Sequence, residues 1–274
     1  HTLMGRLFGT DGARGVAVTE LTCETAMQIG RAAASVLCKK AGHRARILIG
    51  KDTRISSDIM EAALTAGILS VGADVIGLGV VPTPAVAFLV KAMRADGGVM
   101  ISASHNSMEF NGIKLFSGTG FKLSDELEEQ IESIVLDNTP PCKPAADAAI
   151  GRRTDSPYAI HDYTVHLMHT TAETFEGMKL VIDCANGSAS ATAQNLFSSM
   201  GAECIMLADT PNGININDGC GSTHLELLEK AVVEHHADIG LAFDGDADRF
   251  LAVDENGVAA DGDYIMAILA KHLK

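Results

Sequence analysis

Residues 97–116, GGVMISASHNSMEFNGIKLF, are the stretch around which the rest of this chain is organised. Gly98, Val99, Met100 and Ile101 make a short apolar run bounded by glycine, the pattern of a buried strand. Ser102, Ser104, His105 and Asn106 follow at once. They offer hydroxyls, an imidazole and an amide from backbone that turns readily, a set suited to anchoring or transferring an anionic group. Asn111-Gly112 then predicts a turn into Ile113-Lys114-Leu115-Phe116, which would let Lys114 swing back toward the serines. Composition alone fits equally an ordinary Ser/Asn loop with one surface lysine.

Working outward, residues 46–50 (RILIG) read as another buried strand, running into the charged loop Lys51-Asp52-Thr53-Arg54. Thr22 is placed to cap a helix that Gly42 ends. Helices over residues 56–71 and 83–93 flank a strand at 74–78. Strand, helix, strand alternation predicts a mainly parallel sheet with helices over it, and ligands gather at the carboxyl ends of such strands. The opening loop at residues 6–15 (RLFGTDGARG), the Lys51 loop and the serine loop are therefore expected to share one crevice.

Downstream, a helix is expected at 124–135, and residues 138–153 carry Pro140, Pro141 and Pro144 among alanines, a linker composition. Residues 1–150 are expected to form a first domain and residues 151–257 a second, opened by a helix near 158–169. The second repeats the layout: strand 179–183, helix 190–200, strand 203–207, helix 226–235 capped near Thr223, and strand 238–243. Residues 258–274 read as the start of a third domain that breaks off in mid-helix. The predicted fold class is α/β, two similar three-layer αβα domains with mixed, mainly parallel sheets plus the start of a third. His161, His166 and His169 lack the i, i+4 spacing that sets two ligands on one helix face, so they read as solvated.

The strand at 238–243 delivers Asp244-Gly245-Asp246-Ala247-Asp248-Arg249. Carboxylates at every second position can converge on one cation if small intervening residues let the backbone curl, and an all-oxygen set favours Mg²⁺, Mn²⁺ or Ca²⁺ over zinc. Glu255 at the twelfth position mimics a helical calcium loop. Arg249 stands where that loop needs glycine, however, and a strand precedes it instead of a helix.

The formal net charge of −14 over 274 residues, with no basic stripe, argues against a nucleic-acid partner. A phosphorylated metabolite would need local cations, and Arg14, Lys51, Arg54, His105, Lys114 and Arg249 all lie in or beside polar or glycine-rich segments. No run approaches the roughly 18 apolar residues of a membrane span. The six cysteines include no C-x-x-C pair, which fits a reducing cytoplasm. His1-Thr2-Leu3 is expected to be an appended remnant ahead of Met4.

Three of these segments carry a family resemblance. The strand, Ser104-His105-Asn106 and Asn111-Gly112-Ile113-Lys114 resemble the active-site loop of the α-D-phosphohexomutases, with Ser107 where the family usually has proline. Residues 9–15 resemble the motif that opens the phosphoglucosamine-specific members, and Asp244 to Arg249 resemble the metal loop, with Ala247 replacing a glycine. Asn215-Ile216-Asn217 and Cys220-Gly221-Ser222-Thr223-His224 are similar as well.

The resemblance implies that Ser104 carries the catalytic phosphate as phosphoserine. It also implies that one Mg²⁺ bridges Ser104, Asp244, Asp246 and Asp248. His105 and Lys114 would be candidates to move the hydroxyl proton, and Arg14 and Arg249 would hold phosphate oxygens. The implied substrates are a hexosamine 6-phosphate and its 1,6-bisphosphate, the expected location is cytoplasmic, and a homodimer is allowed. The family has four domains, so a chain stopping at Lys274 is expected not to turn over. The rival readings are another sugar specificity in the same superfamily, a phosphatase with an aspartate nucleophile, and a non-catalytic cation-binding fragment.

Overall fold

The computed structural model describes residues 6–263, 265 and 266. They divide into two compact units. The first holds the described residues up to Ala103 together with Glu109–Tyr163; the second holds Ser104–Met108 and the described residues from Thr164 onward.

In the first unit the elements run β1 (Ala13–Val16), α1 (Cys23–Ala41), β2 (Arg46–Lys51), α2 (Ser56–Ser70), β3 (Asp74–Val80), α3 (Thr83–Ala92) and β4 (Gly97–Ile101). After the excursion through Ser104–Met108 come β5 (Phe110–Ser117), α4 (Asp125–Asp137), β6 (Arg153–Asp155) and α5 (Ala159–Met168), which runs on past Tyr163 into the second unit. The sheet order is β1-β5-β4-β2-β3-β6. The ladder from β4 through β2 and β3 to β6 is parallel, and the β1-β5-β4 edge is antiparallel.

Side-chain alternation builds the layers. Ile47, Ile49, Val99, Ile101, Ile113 and Leu115 face a core shared with α1, α2 and α4. The opposite face takes α3, and there Gly98 admits it: a Cβ at Gly98 would come 2.5 Å from Val90 Cγ2. α1 starts where Thr22 accepts the Thr25 N–H and ends at Gly42 in the left-handed region, as its sequence predicts.

The second unit contains β7 (Lys179–Asp183), α6 (Ala193–Ser199), β8 (Glu203–Leu207), α7 (Glu226–Glu234), β9 (Ile239–Phe243), β10 (Phe250–Asp254) and β11 (Ala259–Ala260). Its sheet order is β11-β10-β9-β7-β8, parallel across β9-β7-β8 and antiparallel at the β10 and β11 edge. Val181, Ala242 and Val253 pack under α7, while Leu180 and Ile182 pack on the other face with Ala189 and Ala193. Both units are thus mixed α/β sheets with helices on both sides, as expected.

Several local expectations fail for stated reasons. Asn111-Gly112 is not a turn; both lie inside β5, where Asn111 is fully buried and its side chain binds Ser56 Oγ at 2.8 Å. The helix expected at 190–200 is a 3-10 turn, Ser188–Ala191, followed by the short α6. There the Ser190 and Thr192 hydroxyls return to the carbonyls of Gly187 and Ala189 and compete with regular helix. α7 starts at Glu226, and its N-cap, Leu225, offers no side-chain hydrogen bond, so Thr223 does not cap it.

The proline-rich segment is pinned by Ala145 N–H to Ser70 O (2.8 Å) and Gly151 N–H to Leu69 O (3.0 Å). β6 then extends the first sheet beside β3, and the Tyr163 ring lies 5.9 Å from that of Phe88. The first compact unit accordingly includes residues up to Tyr163. Of the expected third-domain start, 258–274, most lies outside the described residues; β11 pairs with β10.

Candidate active site

β4 ends in two serines with opposite fates. Ser102 is fully buried and its hydroxyl donates to Asp52 Oδ2 at 2.7 Å. The same carboxylate accepts Arg54 Nε at 2.9 Å, the Arg54 N–H at 3.0 Å and Ser57 Oγ at 3.1 Å. Burial pushes the Asp52 carboxyl up, against the pull of Arg54 and Ser102. Arg54 is itself 2% exposed. Lys51 Nζ is held by Asp58 (2.7 Å) and Glu61 (2.6 Å). Neither Lys51 nor Arg54 is therefore the open phosphate cation that its loop position suggests; both carry internal ion pairs.

Two residues on, the chain joins the second unit. Ser104 sits at φ 55°, in the left-handed region, and is 1% exposed. Its hydroxyl donates to Asp244 Oδ2 at 2.6 Å. Asp244 follows β9, and its loop curls through Ala247 at φ 53°, so alanine here adopts a conformation glycine takes more readily. The Ala247 N–H closes the curl on Asp244 O at 3.0 Å, and the Arg249 N–H reaches Asp244 Oδ1 at 3.3 Å.

Carboxylate oxygens of Asp244, Asp246 and Asp248 all lie within 4.8 Å of one another, the first two buried and the third exposed. Burial, with the neighbouring Asp246 charge, pushes Asp244 up to about 7, opposed by the Ser104 hydrogen bond. Three crowded carboxylates in a partly dry pocket are a donor set that a hard divalent cation fits, because it offsets both the desolvation and the repulsion. Ser104 Oγ, on Asp244, is the fourth oxygen at hand.

Beside this cluster lies a cavity of about 490 Å³ lined by His105, Ser222, Thr223, Asp244 and Arg249. His105 and Arg249 are exposed, so an acid-base group and a fixed cation face the same space as the seryl turn and the acidic loop.

Arg14 and Lys114 belong to the first unit. Arg14, on β1, is paired opposite Gly112 of β5, which puts Lys114 diagonally across on the same face. Arg14 makes only a long ion pair with Asp11, at 3.7 Å, and its Nε is buried without a hydrogen-bond partner among the described residues. Lys114 sits in register opposite Met100, inside the strand and not on a hairpin tip.

The sequence marks Asn217 as part of a family-like segment but assigns it no role. Asn217 is 8% exposed, and its side-chain amide donates to Ser104 O and Asn106 O, both at 2.9 Å. Gly245 packs against the same turn, since a Cβ there would collide with Ser104 O and crowd Asn217 Nδ2. Neither contact is visible until the loop 215–221 is folded against residues 104–106.

Fold and site together define a two-unit α/β protein that presents a seryl turn on a triple-aspartate loop. The chain matches the family models for phosphoglucomutase/phosphomannomutase alpha/beta/alpha domain I over residues 5–141 and domain II over residues 161–257. It belongs to that family.

Among curated relatives it is 53% identical over 271 residues to the phosphoglucosamine mutase of Acetivibrio thermocellus, covering 99% of this chain and 60% of the relative. It is 55% identical over 275 residues to that of Caldicellulosiruptor bescii, with 99% and 60% covered. Among solved structures, a phosphoglucomutase/phosphomannomutase family protein from Burkholderia thailandensis superposes with a TM-score of 0.85 at 25% identity, over 99% of this chain and 59% of that one. The chain thus spans about three fifths of the length of the relatives it matches.

Proposed function

We propose that this chain carries the phosphoserine and metal-binding portion of a phosphoglucosamine mutase. The observation that carries the proposal is the 2.6 Å hydrogen bond from Ser104 Oγ to Asp244 at the head of the acidic cluster. The curated relatives described above support the sugar assignment.

Asp244, Asp246 and Asp248 would hold one Mg²⁺, which neutralises charge on the transferring phosphoryl group when bound. The remaining steps rest on this chain's own groups. Ser104 Oγ, as its phosphate ester, gives up the phosphoryl group to a hydroxyl of glucosamine 6-phosphate. The Oγ–P bond breaks, a P–O bond to the sugar forms, and the sugar hydroxyl loses its proton to a nearby base. His105, exposed on the cavity, and Lys114 are the candidates to take that proton. Transfer of the 6-phosphate from the 1,6-bisphosphate back to Ser104 leaves glucosamine 1-phosphate. Arg249, on the same cavity, holds phosphate oxygens, and Arg14 is the first unit's candidate for binding phosphate.

The buried Ser102 hydroxyl is engaged by Asp52, which favours Ser104 as the acceptor. The test is phosphopeptide mapping after incubation with glucosamine 1,6-bisphosphate and Mg²⁺, beside a coupled assay for glucosamine 1-phosphate. Phosphate on Ser104 supports the mutase. Phosphate on an aspartate would support a phosphatase instead, and no phosphate with tight calcium binding would support a cation-binding module.

A further inference from the structure

The geometry points to Asn217 as the positioning residue that fixes the Ser104 backbone for phosphoryl transfer, a role resting on the phosphoserine reading above. Its side chain makes two hydrogen bonds of 2.9 Å, to Ser104 O and Asn106 O, and so bridges both ends of the turn that carries Ser104 and His105. Both partners are carbonyl oxygens. Only an NH₂ group satisfies them together, which sets the orientation of the amide and excludes aspartate as an equivalent.

The clamp is anchored behind. The Asn217 N–H donates to Ala185 O at 2.9 Å, and Ala185 is held by its N–H to Asp183 Oδ1 at 2.8 Å. Asp183, fully buried at the end of β7, spends its other oxygen on the Gly221 N–H at 2.7 Å. One buried carboxylate thus fastens both the strand end and the loop that carries Asn217. From the sheet to the seryl turn, every link is a short hydrogen bond.

The turn needs such a restraint. A non-glycine residue at φ 55° is held against its preference, and Ser104 has no side-chain option that relieves this while its hydroxyl stays on Asp244. Phosphoryl transfer is chiefly a matter of positioning, and a displacement of about 1 Å costs on the order of 100-fold in rate.

Asn217 also sits in the left-handed region, at φ 57°, so the informative variants are those that tolerate this backbone. Asn217→Gly removes the clamp without strain, and Asn217→Asp keeps the shape while setting an oxygen against two carbonyls. Each is compared with the wild-type chain in two ways: by amide hydrogen exchange across residues 104–106, and by the rate of Ser104 phosphorylation from glucosamine 1,6-bisphosphate with Mg²⁺.

The expected result is exchange about 10-fold faster and a saturating rate on the order of 100-fold lower. Half-saturation and Mg²⁺ affinity should be unchanged, which a merely structural residue would not leave intact. Native exchange and a native rate in Asn217→Gly would overturn the assignment, as would a rate loss that tracks an equal loss of Mg²⁺ affinity. If the wild-type chain itself takes no phosphate, the phosphoserine reading fails, and exchange alone then decides whether Asn217 clamps the turn.

Discussion

The Ser104 hydroxyl donates to Asp244 Oδ2 across 2.6 Å, although 140 residues of chain separate the two. Asp244 is the carboxylate that burial and the Asp246 charge push up to about 7. The serine therefore rests on a buried carboxylate whose charge its hydrogen bond helps to stabilise.

Asp246→Asn removes a like charge from that cluster and one oxygen ligand with it. Mg²⁺ affinity is expected to fall at least about 10-fold, because even residues behind a metal's ligands are worth that much. The melting temperature of the metal-free chain should not drop, since the lost charge was repelling Asp244. Unchanged Mg²⁺ affinity in a calorimetric titration would remove Asp246 from the site.

The two serines should differ in phosphate uptake. Ser102→Ala leaves the buried Asp52 short of a donor and is expected to cost about 1–3 kcal/mol in denaturant unfolding, with phosphate uptake retained. Ser104→Ala should abolish phosphate uptake by intact mass, at a stability cost of the same order because it takes a donor from the buried Asp244. The reverse pattern would mean that Ser102 is the acceptor.

Gly245→Ala needs no special backbone angle, yet its Cβ would strike Ser104 O and stand 2.8 Å from Ile216 Cδ1. Backbone oxygen cannot step aside as a side chain can. Ser104 phosphorylation should fall by about 100-fold, the scale of a misplaced reacting group. A variant phosphorylated at the native rate would show that the turn tolerates displacement.

Glu132 offers a pH test far from the acidic loop. Buried on α4, its carboxylate accepts the N–H groups of Arg6 (3.1 Å), Leu7 (2.8 Å) and Phe8 (2.8 Å). Burial alone would raise it, but these three donors and Arg6 bring it below its ordinary 4.5. A depressed folded-state value means that its stabilisation is complete above pH 4.5 and is lost as pH falls through the lower folded value. Glu132→Gln should cost about 2 kcal/mol at neutral pH and flatten the acid limb of stability against pH. An acid limb identical to the wild type's would assign that loss to other carboxylates.

Much of this architecture was legible in the chain itself, because apolar period and glycine placement are local. RILIG at 46–50 and GGVMI at 97–101 are buried strands because such runs have no other place in a mixed sheet. Thr22 and Gly42 mark a helix because capping is a contact within a few residues. The acidic loop was legible for the same reason: three carboxylates two apart, after an apolar strand, can hardly avoid one another.

What sequence order could not convey are partners distant along the chain. Arg54 and Lys51 sit in a loop that suggests ligand binding, but Asp52, Asp58 and Glu61 take their charges, and only the folded arrangement decides that competition. Asn111-Gly112 has the composition of a turn, yet burial beside Ser56 and Ser57 makes a strand the cheaper conformation. Ser102 and Ser104 are indistinguishable as residues. Asp52 claims one and Asp244 the other, and Asn217 fixes the turn between Ser104 and Asn106, because hydrogen bonds across such separations exist only after the sheets have formed.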